Sequence, residues 1–230
     1  PAGRFRCMAP VCFDMYGTLC DTGTAADKLA DELAVSEALV AQLDTGWRTK
    51  QLQYSYQLGM MEEYRPFWQV TRDALDYTLS RFDLDPDQET RLRIMAGYEQ
   101  LSPFPGAIDA LETLRDAGHE VAVLSNGNPA MLETLAEDAG LAPHLDAVIS
   151  ADEVETYKPA PVVYENTADE LDADIGDCRL VSANSWDVAG AGSAGMETVW
   201  INRLRDPFER IGPEPGATVA DLAGAEAILR

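Results

Sequence analysis

Four short stretches of this chain carry side chains that could do chemistry together. Asp14 closes the apolar run 10–13 and is followed at close range by Thr18; Ser125 and Asn126 come directly after the run 120–124. Lys158 sits in Tyr157-Lys-Pro159, a few residues beyond the run 147–149, and Ser182, Asn184 and Asp187 follow 179–181. Taken singly, each has a plainer role. An aspartate at a strand end commonly makes an Asx turn, Ser-Asn-Gly is a frequent tight turn, and a lysine before proline is ordinarily solvated. Jointly they supply a carboxylate, hydroxyls, amides and a cation, and independent turns have no reason to deliver that complementary set to one place.

The elements that would position them alternate. Runs 10–13, 120–124, 147–149, 179–181 and 198–201 read as buried strands, and helical patterns cover 107–117, 129–139, 161–171 and 188–194. Strand alternating with helix predicts an α/β fold: a doubly wound parallel sheet with helices on both faces, a Rossmann-like core. In such open sheets the ligand crevice lies beyond the carboxyl ends of the strands, which is where all four stretches fall. Between residues 21 and 97 the alternation stops. Leu43, Trp47, Tyr54 and Leu58, then Phe67, Val70, Ala74 and Tyr77, recur at helical spacing with no convincing strand, so a helical cap is expected to be inserted after the first strand. The chain divides accordingly into a core of residues 1–20 and 98–230 and a cap of residues 21–97. Pro1 to Cys7 precede Met8, a candidate start, and take no part in this reading of the fold.

Composition narrows the class of partner. Apolar residues make up 46% and charged residues 25%, the profile of a globular protein, but 40 acidic against 17 basic side chains leave a net charge of −23. Such a surface repels phosphates, which argues against nucleic acid and anionic membranes as partners. It also suits a cytoplasm of molar salt, where a Debye length of ~3 Å screens self-repulsion. Stability is therefore expected to fall as salt is withdrawn, and a melting temperature indifferent to KCl would contradict this. No apolar stretch approaches the ~18 residues of a membrane span, and no signal-peptide core opens the chain. Four cysteines without a CxxC pair and two histidines far apart in the sequence make a zinc site improbable and favour reduced thiols, hence a cytoplasmic setting.

The four strand-end stretches resemble the four motifs of the haloacid dehalogenase superfamily over nearly the whole chain. Most members of that superfamily are phosphatases, which carry a second aspartate two positions after the nucleophile to protonate a departing alkoxide. Tyr16 stands there instead. A halide leaves without a proton, so the substitution fits carbon–halogen chemistry. Asp14-Met-Tyr-Gly-Thr18, the run from Ser182 to Asp187, Trp47-Arg-Thr-Lys-Gln-Leu52 and the stretch from Gly195 to Arg203 together resemble the L-2-haloacid dehalogenases.

That resemblance implies roles. Asp14 is the nucleophile, displacing halide at C2 of a short 2-haloacid with inversion to form an ester that water then hydrolyses. Lys158 keeps Asp14 ionised and Thr18 hydrogen-bonds it, although the hydroxyl could equally close the turn. Ser125 and Asn126 receive the substrate carboxylate. Arg48 takes the departing halide. Asp187, with Ser182 and Asn184, handles the hydrolytic water. Tyr16, Leu52, Phe67, Tyr164 and Trp186 complete the substrate site, Leu52, Phe67 and Trp186 being equally readable as core and Tyr164 almost equally so. Ala183 stands where some relatives have serine. The resemblance further implies a homodimer and no required cofactor or metal, although Asp187 leaves magnesium possible. A magnesium-dependent phosphatase of small metabolites and a non-catalytic interaction module are the competing readings.

Overall fold

The computed structural model describes residues 8–230; Pro1 to Cys7, and the expectations placed on them, lie outside the described residues. Strand β1 (Met8–Phe13) runs through the middle of a six-stranded sheet, and its Val11, Cys12 and Phe13 have no solvent exposure. Apolar residues on both faces are what a central strand of a parallel sheet requires, and this produces the unbroken apolar run in the sequence.

Beside it lie β4 (His119–Ser125) and β5 (Ala147–Ser150) on one flank, and β6 (Arg179–Ser182), β7 (Glu197–Ile201) and β8 (Ala217–Val219) on the other, all parallel, in the order β5-β4-β1-β6-β7-β8. The register sets Phe13 against both Val123 and Val181, and Ser125 against Ser150, so the residues just past these strand ends emerge on one edge. The winding reverses between β1 and β6. That switch point is where an open α/β sheet opens its crevice.

Helices α5 (Ala107–Asp116), α6 (Pro129–Asp138), α7 (Pro161–Glu170) and α8 (Ser185–Ala194) connect the strands close to the expected bounds. One start differs. Helix α8 begins at Ser185 rather than 188, because Asn184 takes the N-cap position and the polar first turn carries no apolar period to read. Trp186 and Asp187 are thereby helical, at the turn where a negative side chain is favoured. Strand β8 and helix α9 (Leu222–Leu229) were not read from the sequence. The strand is short and half-exposed, leaving no apolar run, and α9 is capped by Asp221 through Gly224 N at 2.8 Å.

Four helices, α1 (Gly23–Glu32), α2 (Glu37–Met61), α3 (Phe67–Arg81) and α4 (Gln88–Ala96), occupy the segment where alternation stopped. Helix α2 packs along α3. Trp47 is fully buried there and spends its indole N–H on Thr71 O at 2.8 Å, and Leu43, Leu58, Phe67, Val70 and Ala74 are buried as the helical period required. Tyr77 departs from the pattern: it is 41% exposed, with Lys50 Nζ 4.2 Å from its ring centroid. The two passages between helices and sheet are tied together as an antiparallel pair, β2 (Cys20–Asp21) with β3 (Ser102–Pro103), and Phe104 N donates to Leu19 O at 2.8 Å. On the far side of the helical segment Tyr157 clasps Arg65, its hydroxyl donating to the carbonyl at 2.7 Å and accepting from the N–H at 3.1 Å, while Trp68 N donates to Asn128 Oδ1 at 3.1 Å.

Cys12, Cys20 and Cys178 are buried and unpaired. Burial raises the Cys178 thiol to about 11 and the Cys20 thiol to about 12, so both stay protonated and unreactive near neutrality. The two histidines, remote in sequence, line the same surface hollow at the amino end of β4, where His119 Nδ1 meets Ala9 O at 2.8 Å and His144 faces Glu112 at 3.3 Å. No helix among the described residues is long and apolar enough to cross a membrane.

Candidate active site

Asp14 leaves β1 with its N–H on Val181 O at 3.0 Å, which fixes the backbone at the switch point. Asp14 is 4% exposed, and both its carboxylate oxygens accept hydrogen bonds. Oδ1 accepts from Lys158 Nζ at 2.8 Å; Oδ2 accepts from Thr18 Oγ1 at 2.8 Å and Asn184 Nδ2 at 2.7 Å, with Ser182 Oγ at 3.5 Å. Three motifs therefore converge on one side chain. Thr18 is held in turn, accepting from Ala183 N at 2.9 Å, so the backbone of Ala183 supports the Asp14 carboxylate although its side chain cannot.

Lys158 is 1% exposed and bridges two carboxylates, donating to Asp14 Oδ1 and Asp187 Oδ2 at 2.8 Å each and to Leu124 O at 3.0 Å. Burial opposes its charge, but Asp14 and Asp187 outweigh that and hold its pKa above the ordinary 10.5. Burial also raises the Asp187 carboxyl, against the pull of Lys158 and with the repulsion of Asp14. An ammonium saturated by three acceptors cannot wander, so it orients Asp14 as well as neutralising it.

Above this network lies a cavity of about 50 Å³ lined by Asp14, Tyr16, Arg48, Leu52, Phe67, Ser125, Asn126, Lys158, Asn184 and Trp186. This is far below the ~300–1,000 Å³ of clefts that take drug-sized ligands, and suits a ligand of few heavy atoms. Arg48 comes from α2: a Cβ placed on Gly17 would lie 3.9 Å from its Nη2, so the guanidinium hangs over the turn that follows Asp14. Asp44, one turn earlier on α2, has its carboxyl raised by burial against the pull of Arg48. Ser125 Oγ accepts from Gly127 N at 3.2 Å, which leaves its own hydroxyl proton for a ligand; Asn126 Oδ1 accepts from Lys158 N at 2.7 Å, which leaves its amide N–H groups. The Tyr16 hydroxyl is buried without a partner, and burial pushes its pKa up so that it stays a donor. An unsatisfied buried hydroxyl costs ~1–3 kcal/mol, which a bound anion would relieve.

A haloacid dehalogenase-like hydrolase family model matches residues 10–195. The chain belongs to this family. Among its relatives, (S)-2-haloacid dehalogenase 4A of Burkholderia cepacia is 40% identical over 86% of this chain and 84% of its own. Haloacetate dehalogenase H-2 of Moraxella sp. (strain B) is 34% identical over 91% of this chain and 92% of its own. The solved structure of L-2-haloacid dehalogenase from Xanthobacter autotrophicus with chloropropionic acid covalently bound superposes with a TM-score of 0.90 at 32% identity, covering 97% of this chain and 98% of that one.

Within this haloacid dehalogenase-like hydrolase one expected placement needs correction. Tyr164 does not reach the cavity: it is fully buried behind Asp187, donating to Oδ1 at 2.8 Å, because α7 packs against α8 and turns that face inward. Asp187 is likewise without exposure and absent from the cavity wall, both oxygens being taken by Lys158 and Tyr164, so it meets solvent only through its partners. Thr18 and Ser182 also sit behind Asp14 rather than on the wall. Three lining residues went unread as site residues: Thr22, Gln51 and Tyr98. Gln51 was findable, since Arg48, Gln51 and Leu52 at i, i+3 and i+4 share one helix face. Tyr98, edge-on to Trp47 at 4.9 Å and 5.9 Å from Tyr16, comes from a short turn with no periodic signal.

The phosphatase relatives' magnesium, held by the nucleophile, a backbone carbonyl and a carboxylate of the fourth motif, does not fit these donors. The Tyr16 carbonyl and Asp14 Oδ2 both accept from Asn184 Nδ2, at 3.2 and 2.7 Å, and the Lys158 ammonium already lies between Asp14 and Asp187.

Proposed function

We propose that this protein hydrolyses short (S)-2-haloalkanoic acids to (R)-2-hydroxyalkanoic acids through an ester on Asp14. The observation that carries this is an Asp14 carboxylate held by Lys158, Thr18 and Asn184 at 2.7–2.8 Å, beside a Tyr16 that replaces the proton donor an alkoxide would need. Oδ1 has one partner and therefore a lone pair free to attack. It forms the bond to C2 as the carbon–halogen bond breaks, the electron pair leaving with the halide toward Arg48. Ser125 and the Asn126 amide hold the substrate carboxylate, while Leu52, Phe67 and Trp186 enclose the alkyl group and exclude water.

In the second step water adds to the carboxyl carbon of Asp14. The oxygen that becomes an oxyanion is Oδ2, and Thr18 Oγ1 and Asn184 Nδ2 already point at it, so the donors that hold the carboxylate serve as an oxyanion hole. Collapse expels the product oxygen, which takes the second proton of the water as its hydroxyl hydrogen, and leaves Asp14 as a carboxylate. Both Asp187 oxygens are engaged, so the first proton reaches Asp187 by relay: Lys158 Nζ hands a proton to Asp187 Oδ2 as it takes one from the water, and the raised pKa of Asp187 suits the final acceptor. Tyr164→Phe should therefore leave ester formation intact and slow its hydrolysis ~10-fold. Intact-mass measurement during turnover then shows the acylated protein accumulating; a variant that turns over with no adduct contradicts this role.

Residues 21–97 act as the cap that closes over substrate. A cytoplasmic setting and a homodimer complete the reading, the first supported by the buried unpaired thiols and the second by the family resemblance. The function is tested by bromide release from the separate enantiomers of 2-bromopropionate in molar KCl with EDTA. Release from the (S) acid alone is expected. No release, with magnesium-dependent hydrolysis of phosphate esters, would replace this reading with the phosphatase one.

A further inference from the structure

The loop that carries the nucleophile is gripped by a side chain that never reaches the cavity. Arg203, just past β7, donates from Nη1 to Gly17 O and from Nη2 to Thr18 O, each at 2.9 Å, and its guanidinium carbon lies 3.8 Å from the ring centroid of Phe104. The forked donor thus takes two consecutive carbonyls of the turn after Asp14, a geometry that a planar guanidinium supplies and an ammonium does not.

The turn itself is tight. Gly17 N donates to Cys20 O at 2.8 Å, Leu19 and Cys20 N converge on Met15 O at 3.1 and 3.0 Å, and Gly17 has φ +81°. Inside it, the Thr18 hydroxyl is what bonds Asp14 Oδ2. A shift of the Thr18 backbone therefore moves a donor aimed at the nucleophile. Phe104, meanwhile, lies on the passage returning from the helical segment and is tied by its own N–H to Leu19 O at 2.8 Å. Arg203 accordingly contacts the nucleophile loop and the root of the cap at once.

We infer that Arg203 is a positioning residue for the dehalogenation proposed above: it locks the Gly17–Thr18 carbonyls so that Thr18 stays on Asp14 Oδ2 through both steps. The inference rests on that functional reading for its kinetic consequence and on the loop geometry alone for its structural one. Half-burial lowers the Arg203 pKa and Asp21 and Asp221 offset this only in part, so what holds the guanidinium in place is its two carbonyl bonds and the Phe104 ring.

Two variants separate positioning from simple stability. Arg203→Lys keeps a cation but loses the fork; Phe104→Leu keeps both hydrogen bonds and loses the stacking surface. Arg203→Lys should lower kcat ~10-fold or more while KM for (S)-2-bromopropionate stays within ~2-fold, since misplacement acts on the transition state more than on binding. Phe104→Leu should cost less than ~3-fold in kcat. Amide hydrogen exchange of the peptide covering residues 14–20 should be faster in Arg203→Lys than in the parent, whatever the substrate. Unchanged exchange and an unchanged kcat per folded molecule, with only a lower melting temperature, would overturn the inference. Faster exchange with no turnover even in the parent would uphold the grip and sink the dehalogenase reading instead. Should Arg203→Lys not fold, the proposal is overturned if Phe104→Leu, with both hydrogen bonds kept, loses activity ~10-fold or more.

Discussion

Asp14→Asn will lower halide release ~10,000-fold or more, the scale on which removing a covalent nucleophile abolishes turnover. The effect is large because the site offers no substitute. Asp187, the other carboxylate in the network, is without exposure and has both oxygens engaged, so it cannot take over the attack on C2. An asparagine at position 14 is also a poor fit to its surroundings, since its amide N–H groups would face either Lys158 or the pair Thr18 and Asn184, all of them donors in the native arrangement. Binding of substrate through Ser125 and Asn126 should survive, so the variant is expected to quench with substrate analogues as the parent does. Halide release within ~100-fold of the parent, measured on protein checked by mass spectrometry for deamidation, would remove Asp14 from the role of nucleophile.

Lys158→Met is expected to damage both chemistry and stability. Without the ammonium, Asp14 and Asp187 face each other across a dry interior, and one of them takes up a proton. If Asp14 does so even part of the time, and its orientation is lost as well, halide release should fall ~1,000-fold or more. Stability should fall by ~3–5 kcal/mol, the usual consequence of breaking a buried ion pair and leaving the partner charges in place. The pH dependence has a definite sign. In the parent, Lys158 has a folded pKa above 10.5, so its contribution is fully present below that ordinary value and is lost as pH rises through the raised one. In the variant Asp187, already raised by burial, loses the Lys158 charge that pulled it down, so the penalty is greatest near neutrality and shrinks as pH falls and a proton is bound. Urea unfolding of both proteins from about pH 8 to about pH 4 should show the two stabilities converging. Parallel curves, or a variant retaining a tenth of the activity, would contradict the bridging role.

The parts of this molecule that could be read from the sequence are those where one physical constraint dominates. A central parallel strand must be apolar on both faces, which is why residues 10–13 and 120–124 announced β1 and β4, and why the polar residues just beyond them announced the site. A helix packed on one side shows its period, as α2 does from Leu43 to Leu58. The misses fall where constraints are shared. Strand β8 is short and half-exposed; the first turn of α8 is occupied by residues chosen for the site, Trp186 and Asp187, rather than for burial; Tyr164 was placed against substrate because its position in the chain matches a family tyrosine, and only the packing of α7 on α8 shows that it addresses Asp187. Arg203 could not be assigned from spacing at all, because its partners are backbone carbonyls 186 and 185 positions away. No residue type in the sequence records that contact.

The central claim, that oxygen from Asp14 becomes the hydroxyl of the product, is tested most directly by one turnover in heavy-oxygen water. Enzyme in excess over (S)-2-bromopropionate is quenched after a single cycle, and both the lactate and the Asp14 peptide are weighed. The account predicts unlabelled lactate and a heavy oxygen in the Asp14 carboxyl. Heavy lactate with an unlabelled peptide would mean that water attacks C2 itself, and that Asp14 serves as a base instead.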